Sequence, residues 1–258
     1  MVVFAVGDIC GEEGIAFVER KLPAVRRMYG VDMIIANAEN CAKGGKGITK
    51  DGADRIFSAG VDVITTGNHA FNIQGYENLF DSVPALIRPY NLGKGIPGAG
   101  SFVFDMGRCR VLVVNLMGRA FMPLNSTDYF DAMDDILISA DTPVIIVDFH
   151  AEATAEKLAF ARCFDGRASL VFGTHTHVPT ADETILPGGT GYITDIGMTG
   201  PVDSVIGIDT GKAISKQRFA VPVRLVPALG FSAMSGILSE IDNKTGKALS
   251  IERLAVGE

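Results

Sequence analysis

Four histidines occur in the 258 residues, at 69, 150, 175 and 177, and each stands at the end of an apolar run. His69 follows Val61–Thr66 in GNH (67–69), His150 closes VIIVDF (144–149), and His175 with His177 follow LVFG (170–173). Asp8 ends the first run, Val2–Val6, and Glu39-Asn40 follows DMIIAN (32–37), while Asn68 adjoins His69. Imidazole, carboxylate and amide oxygen make a mixed O/N donor set that suits Fe, Mn, Zn or Ni rather than Ca. In His175-Thr176-His177, alternate residues of an extended segment point the same way, so the two rings are expected to reach two neighbouring ions. Glu39 is the candidate bridge, because one carboxylate offers two oxygens to two cations. Asn40 and Asn68 are neutral oxygen donors. A lone histidine at a strand end is ordinarily a hydrogen-bonding residue. The metal reading rests on all four standing beside acids or amides at equivalent places.

Those places are set by the elements. The runs at Val2–Val6, Asp32–Asn37, Val61–Thr66, Val111–Leu116, Val144–Phe149 and Leu170–Gly173 read as strands. Between them, Ile15–Tyr29, Lys50–Ala59, Asp128–Ala140 and Ala153–Cys163 carry helical spacing. The alternation predicts α/β layers around a largely parallel or mixed sheet. In such sheets, sites form beyond the carboxyl ends of the strands. Arg88–Gly100 (RPYNLGKGIPGAG) reads as an ordered surface loop. Beyond Gly188, Val221–Val226, Ile237–Ile241 and Ala248–Leu254 read as antiparallel strands, with Pro222 placing the first at a sheet edge. No repeat or long linker interrupts the chain, so residues 1–258 are expected to form a single domain.

Composition narrows the function. Thirty acidic residues against 23 basic ones give a formal charge of −7, which argues against a stable nucleic-acid complex. Small phosphorylated substrates remain compatible, because bound metal ions reverse the local field. Apolar residues make up 47%, enough for a sizeable core, and no run reaches the ~18 residues that span a bilayer. The start lacks the basic region of a signal peptide, and the four cysteines (Cys10, Cys41, Cys109, Cys163) are scattered, so reduced thiols in a cytoplasmic protein are expected. Rival motifs are weaker. Gly7-x-x-x-Gly11-x-x-Gly14 misses the dinucleotide spacing, and KGGKG (43–47) is not a Walker A loop, leaving it a flexible loop or a substrate rim. Ser101, Ser169 and Ser204 sit in no nucleophile elbow, and Arg119 and Arg167 read as ion-pair residues or phosphate contacts.

Taken in order, GD (7–8), EN (39–40), GNH (67–69), His150 and GTHTH (173–177) resemble the motif series of calcineurin-like metallophosphoesterases. The chain departs from that series at Ile9-Cys10, at Glu39 and at Ala70. With DFHAEAT (148–154), DGRAS (165–169), GTHTHVPTAD (173–182) and YITDIGMTGP (192–201), those departures resemble the bacterial YmdB-type subfamily almost end to end. AFN (70–72) stands where that subfamily commonly has a Trp, a difference expected to alter the pocket wall. The resemblance implies a four-layer α/β/β/α sandwich with two transition-metal ions, iron first, with Mn, Zn or Ni as alternatives. It implies Asp8, Glu39, Asn40 and His177 on one ion, and Glu39, Asn68, His150 and His175 on the other. His69 is then the proton donor, off the metals. The implied activity is hydrolysis of 2′,3′-cyclic nucleotides and cyclic AMP by a metal-bridging hydroxide. Two alternatives stay open: a broad-specificity phosphomonoesterase on the same ions, and a nucleotide-binding regulatory protein with incidental turnover. A small nucleotide is the expected partner, and a homo-oligomer is left open.

Overall fold

An apolar run without polar alternation is buried on both faces, and the runs of this chain become central strands in two stacked sheets. The computed structural model describes residues 1–258. In chain order the elements are β1 (Val2–Val6), β2 (Asp8–Ile9), α1 (Gly11–Met28), β3 (Met33–Asn37), α2 (Lys50–Ser58), β4 (Val63–Thr65), α3 (Tyr76–Ser82), β5 (Ser101–Asp105), β6 (Arg110–Met117) and α4 (Tyr129–Ser139). They continue as β7 (Val144–His150), α5 (Thr154–Cys163), β8 (Leu170–Thr174), β9 (Thr184–Ile185), β10 (Gly191–Ile193), β11 (Met198–Pro201), α6 (Thr210–Phe219), β12 (Ser232–Ile241) and β13 (Ala248–Val256).

The first sheet runs β2-β11-β12-β1-β3-β4, with β13 on the other side of β12, and the second runs β5-β6-β7-β8-β10-β9. The strands that lead to the candidate residues are parallel: β1 to β3 to β4 in one sheet, β6 to β7 to β8 in the other. Their carboxyl ends therefore fall on one edge. Side-chain alternation divides the core into three layers. Phe4 and Val6 of β1 pack under the α1 and α2 helices, whereas Val3 and Ala5 face the second sheet. On β7, Ile145, Val147 and Phe149 pack against α4 and α5, while Val144 and Ile146 face the first sheet. These clusters make the four-layer α/β/β/α sandwich.

Helix starts follow capping chemistry. Thr49 Oγ1 accepts the Gly52 amide ahead of α2, and the Asp128 carboxylate accepts the Phe130 and Asp131 amides ahead of α4. Residues 221–226 depart from expectation. They form no strand: the segment is largely exposed, Pro222 and Pro227 offer no donor, and only single backbone bonds tie it to residues 207–209. The strand expected at Ile237–Ile241 instead begins at Ser232, and the last one runs on to Val256. No helix is long and apolar enough to cross a membrane.

Candidate metal centre

Strand β2, the end of β7 and the loops after β3, β4 and β8 bring Asp8, His150, Glu39, Asn40, Asn68, His175 and His177 together. Asp8, Glu39 and His150 are fully buried, and Asn40 and Asn68 nearly so. Gly67 permits the approach of β4 to β7, since a Cβ there would lie 2.2 Å from His150 Nε2.

Each imidazole has one nitrogen held from outside and one turned inward. His150 Nδ1 lies 2.9 Å from Thr174 Oγ1, which donates its own proton to Asp148 Oδ1 at 2.6 Å. The Thr174 oxygen must therefore accept from Nδ1–H, which turns Nε2 inward. His175 Nε2 lies 3.2 Å from Glu152 Oε2, which leaves Nδ1 inward, 3.0 Å from His150 Nε2. His177 Nδ1 donates to the Ile206 carbonyl at 2.9 Å and turns Nε2 inward. Outer partners of this kind fix the tautomer of a metal-ligating histidine.

The inward atoms fall into two groups. His150 Nε2 meets Asn68 Oδ1 at 3.1 Å, His175 Nδ1 at 3.0 Å and Glu39 Oε1 at 3.2 Å. All of these are acceptors, so a proton or a cation has to sit among them. The other group is Asp8 Oδ1, 3.6 Å from His177 Nε2, and the Asn40 amide, 3.2 Å from the same nitrogen. Asp8 Oδ1 is buried with no hydrogen-bond partner. Glu39 stands between the groups: Oε1 also meets Asn40 Nδ2 at 3.4 Å, and Oε2 accepts the His69 amide at 2.7 Å. Glu39, His150 and His175 alone place three ligand atoms within 4.8 Å of one another. The donor set fits divalent transition metals on the chemistry of its atoms, three imidazole nitrogens with carboxylate and amide oxygens.

Electrostatics shows what balances the buried acceptors when no cation is there. Burial pushes Glu39 up, but the His150 charge and hydrogen bond hold its carboxyl down at about 2. Burial pushes His150 down, but Glu39 more than offsets that and raises it, so a proton on His150 takes the place a cation would take. Burial and the neighbouring His150 push His175 down to about 3, so its inward nitrogen is free of protons at neutral pH.

One sequence expectation changes here. His175 and His177 do not lie on an extended segment: β8 ends at Thr174, and their φ angles are 97° and 65°. Their rings reach different groups because the backbone reverses between them, not because a strand alternates. Ala70, Phe71 and Asn72 of AFN are not among the residues that line the cavity. The Phe71 ring packs on Tyr76 and Phe80, with centroids at 4.8 and 5.6 Å, and Ala70 is buried. Arg119 and Arg167 pair with Asp128 and Asp134 at the surface, as ion-pair residues.

A cavity of about 330 Å³ opens onto the centre and is lined by Glu39, Asn40, His69, His175 and His177. The sequence reading missed Glu152, which sits in DFHAEAT two residues beyond His150 and also lines the cavity. Lys46 of the KGGKG loop lines it too, the one cation that does so.

Comparison with known proteins follows the same line. The model of the family described as YmdB-like protein matches residues 4–254. The chain is 41% identical over 260 residues to a 2′,3′-cyclic-nucleotide 2′-phosphodiesterase of Bacillus subtilis, covering all of this chain and 98% of that one. It is similar to the crystal structure of a novel phosphatase from Mycoplasma pneumoniae, with a TM-score of 0.94 and 33% identity over all of this chain and 94% of that one. A calcineurin-like phosphoesterase of Bacillus subtilis, YfkN, shares the fold at a TM-score of 0.55 and 12% identity, covering 100% and 90% of the two chains.

Proposed function

This chain belongs to the YmdB-like protein family, and on that premise we propose that it hydrolyses 2′,3′-cyclic nucleotides, and cyclic AMP, at two transition-metal ions. The observation that carries the proposal is the set of three inward imidazole nitrogens, each held by an outer partner on its other nitrogen, facing two buried carboxylates of which Asp8 Oδ1 has no hydrogen-bond partner. In this reading Asp8, Asn40 and His177 hold one ion, Asn68, His150 and His175 hold the other, and Glu39 touches both. Iron is the first candidate, and Mn, Zn or Ni suit the same donors. Two such ions, when bound, lower the pKa of water and neutralise phosphate charge in an in-line displacement.

The chain's own groups do the rest. His69 lines the cavity but makes no side-chain contact with the inward set, and its backbone amide is anchored on Glu39. Its ring is free to protonate the departing ribose oxygen. Burial lowers its pKa, Glu39 opposes that shift and Lys46 adds to it. Lys46 offers a positive charge to the phosphate as it enters. The proposal takes residues 1–258 as one domain, because the cluster between the sheets joins the amino-terminal and carboxyl-terminal halves. It places the protein in the cytoplasm, where its four free cysteines stay reduced.

The test pairs elemental analysis with turnover. Protein reconstituted anaerobically with iron or manganese is expected to hold about two ions per chain and to open 2′,3′-cyclic AMP. Removal by a chelator should abolish turnover, and re-addition should restore it. Faster release of phosphate from nucleoside monophosphates than opening of the cyclic ester would favour the phosphomonoesterase alternative instead.

A further inference from the structure

The cavity is not lined by ligand-type residues alone. Ile206, Ile208, Leu225 and Pro227 also line it, aliphatic where the histidines and acids are polar. Ile206 is half exposed despite being aliphatic.

Ile206 is held there against its backbone preference. Val205 and Ile208 exchange both backbone hydrogen bonds, at 2.9 and 3.0 Å, closing a two-residue turn with Ile206 and Gly207 at its tip. Their φ angles are 48° and 88°. A turn with both central residues left-handed favours Asn-Gly, and a β-branched residue in that region is strained. Such strain persists where the surroundings impose it, and it clusters at functional sites. The surroundings are visible. The Ile206 carbonyl accepts from His177, and Gly207 is pressed so near Cys10 that a Cβ would lie 3.1 Å from its sulfur. The Ala228 amide donates to the Gly207 carbonyl at 2.9 Å, bringing the unpaired segment with Leu225 and Pro227 alongside. One strained turn therefore orients a candidate ligand with its carbonyl and offers an aliphatic side chain to the cavity.

We propose that Ile206, Ile208, Leu225 and Pro227 form a shelf that receives the nucleobase of the substrate. The inference rests on the phosphodiesterase reading and deepens it. A phosphate at the histidines and a ribose beside His69 leave the base to meet the aliphatic side chains. The volume, at the low end for a small-molecule site, suits one mononucleotide. The four shelf side chains carry no donor or acceptor, so they recognise the face of the ring and not its edge. The shelf therefore favours a nucleotide over a bare sugar phosphate and discriminates little among bases.

The test compares kcat/KM for 2′,3′-cyclic AMP and for base-free ribose 2′,3′-cyclic phosphate in the parent, Ile206→Gly and Leu225→Ala. Glycine adopts the Ile206 backbone without strain, so that variant keeps the turn while losing the side chain. The parent should prefer the nucleotide by about tenfold, equivalent to about 1.4 kcal/mol, chiefly through KM. Each variant should lose most of that preference, and metal content should match the parent. Should Ile206→Gly lose ions through His177, Leu225→Ala, on a separate segment, decides. A parent without the preference, or variants that retain it, would overturn the shelf alone. A parent that opens neither ester would overturn the phosphodiesterase reading and the shelf with it.

Discussion

Replacing Thr174 by Val removes a single hydroxyl and keeps the side-chain shape. That hydroxyl accepts from His150 Nδ1 at 2.9 Å and donates to Asp148 Oδ1 at 2.6 Å, with all three residues fully buried. Asp148 keeps Thr65 and Asn37 on its other oxygen, but His150 Nδ1–H is left with no acceptor. A buried group stripped of its partner costs about 1–3 kcal/mol, so two of them should lower folding stability by about 2–6 kcal/mol. The imidazole also loses what fixes its tautomer, and losing an outer partner of that kind costs about 10–100-fold in metal affinity. Thr174→Ser is the control: it keeps the hydroxyl and gives up one methyl, worth about 1 kcal/mol. Urea unfolding of metal-stripped protein reads the first effect, and competition with a chromophoric chelator reads the second. If the Val variant binds metal as tightly as the Ser variant, His150 is not held through Thr174. If the two are equally stable, the buried bonds carry no weight.

Glu39→Gln should reduce occupancy of both ions, whereas Asp8→Asn should chiefly reduce one, as elemental analysis of reconstituted protein will show. His69→Ala should keep its metal and slow cyclic-nucleotide hydrolysis by about 10²–10⁴-fold, yet recover much of that loss on a nitrophenyl diester, whose leaving group needs no proton. Equal loss on both substrates would remove His69 from the acid role. Burial pushes the Cys41 thiol up to about 12, so the neutral form persists through pH 9. Alkylation at that pH should mark the exposed Cys163 and spare Cys41 until the chain is unfolded, with mass spectrometry of peptides as the readout. Lys157→Met should destabilise by about 3–5 kcal/mol, because it strands the buried Asp195 carboxylate that Lys157 meets at 2.8 Å. A denaturation midpoint unchanged from the parent would contradict that pairing.

Legibility in the sequence followed physical cause. Strands such as β3 and β7 were readable because burial on both faces demands uninterrupted apolar residues. The ligand-type residues were readable because parallel topology puts every strand end on one edge. Helix α6 was not, since Ala213 is its one buried residue and leaves no apolar stripe to detect. Strand β5 was missed because it is a half-buried edge, and β9 because both its residues are exposed. Val221–Val226 misled for the opposite reason: its composition is that of a strand, but Pro222 offers no donor and the bond from the Asp209 amide to the Val226 carbonyl does not extend into a ladder. Around the site, Glu152, Thr174 and Ile206 act through a single nitrogen each, and nothing local in the chain announces such a contact. The left-handed backbone at His175 and His177 was equally silent, because only glycine, asparagine and aspartate signal that conformation by type.

The converging side chains do not all come from one sheet. Asp8, Glu39, Asn40 and Asn68 belong to strands and loops of the first, while His150, His175 and His177 belong to the second. Beside them, Asn37 and Thr65 of the first sheet donate to Asp148 of the second, and farther along the seam the contacts are apolar and hold without fixing direction. A cation engaging both sets is therefore a rivet through the seam, and its binding free energy adds directly to the adhesion of the two halves. At a free-metal level of one hundred times Kd that addition is about 2.7 kcal/mol per site. Metal supply would then govern the lifetime of the folded chain as well as its turnover. In a metal-starved cell the seam is where proteases would find their first opening.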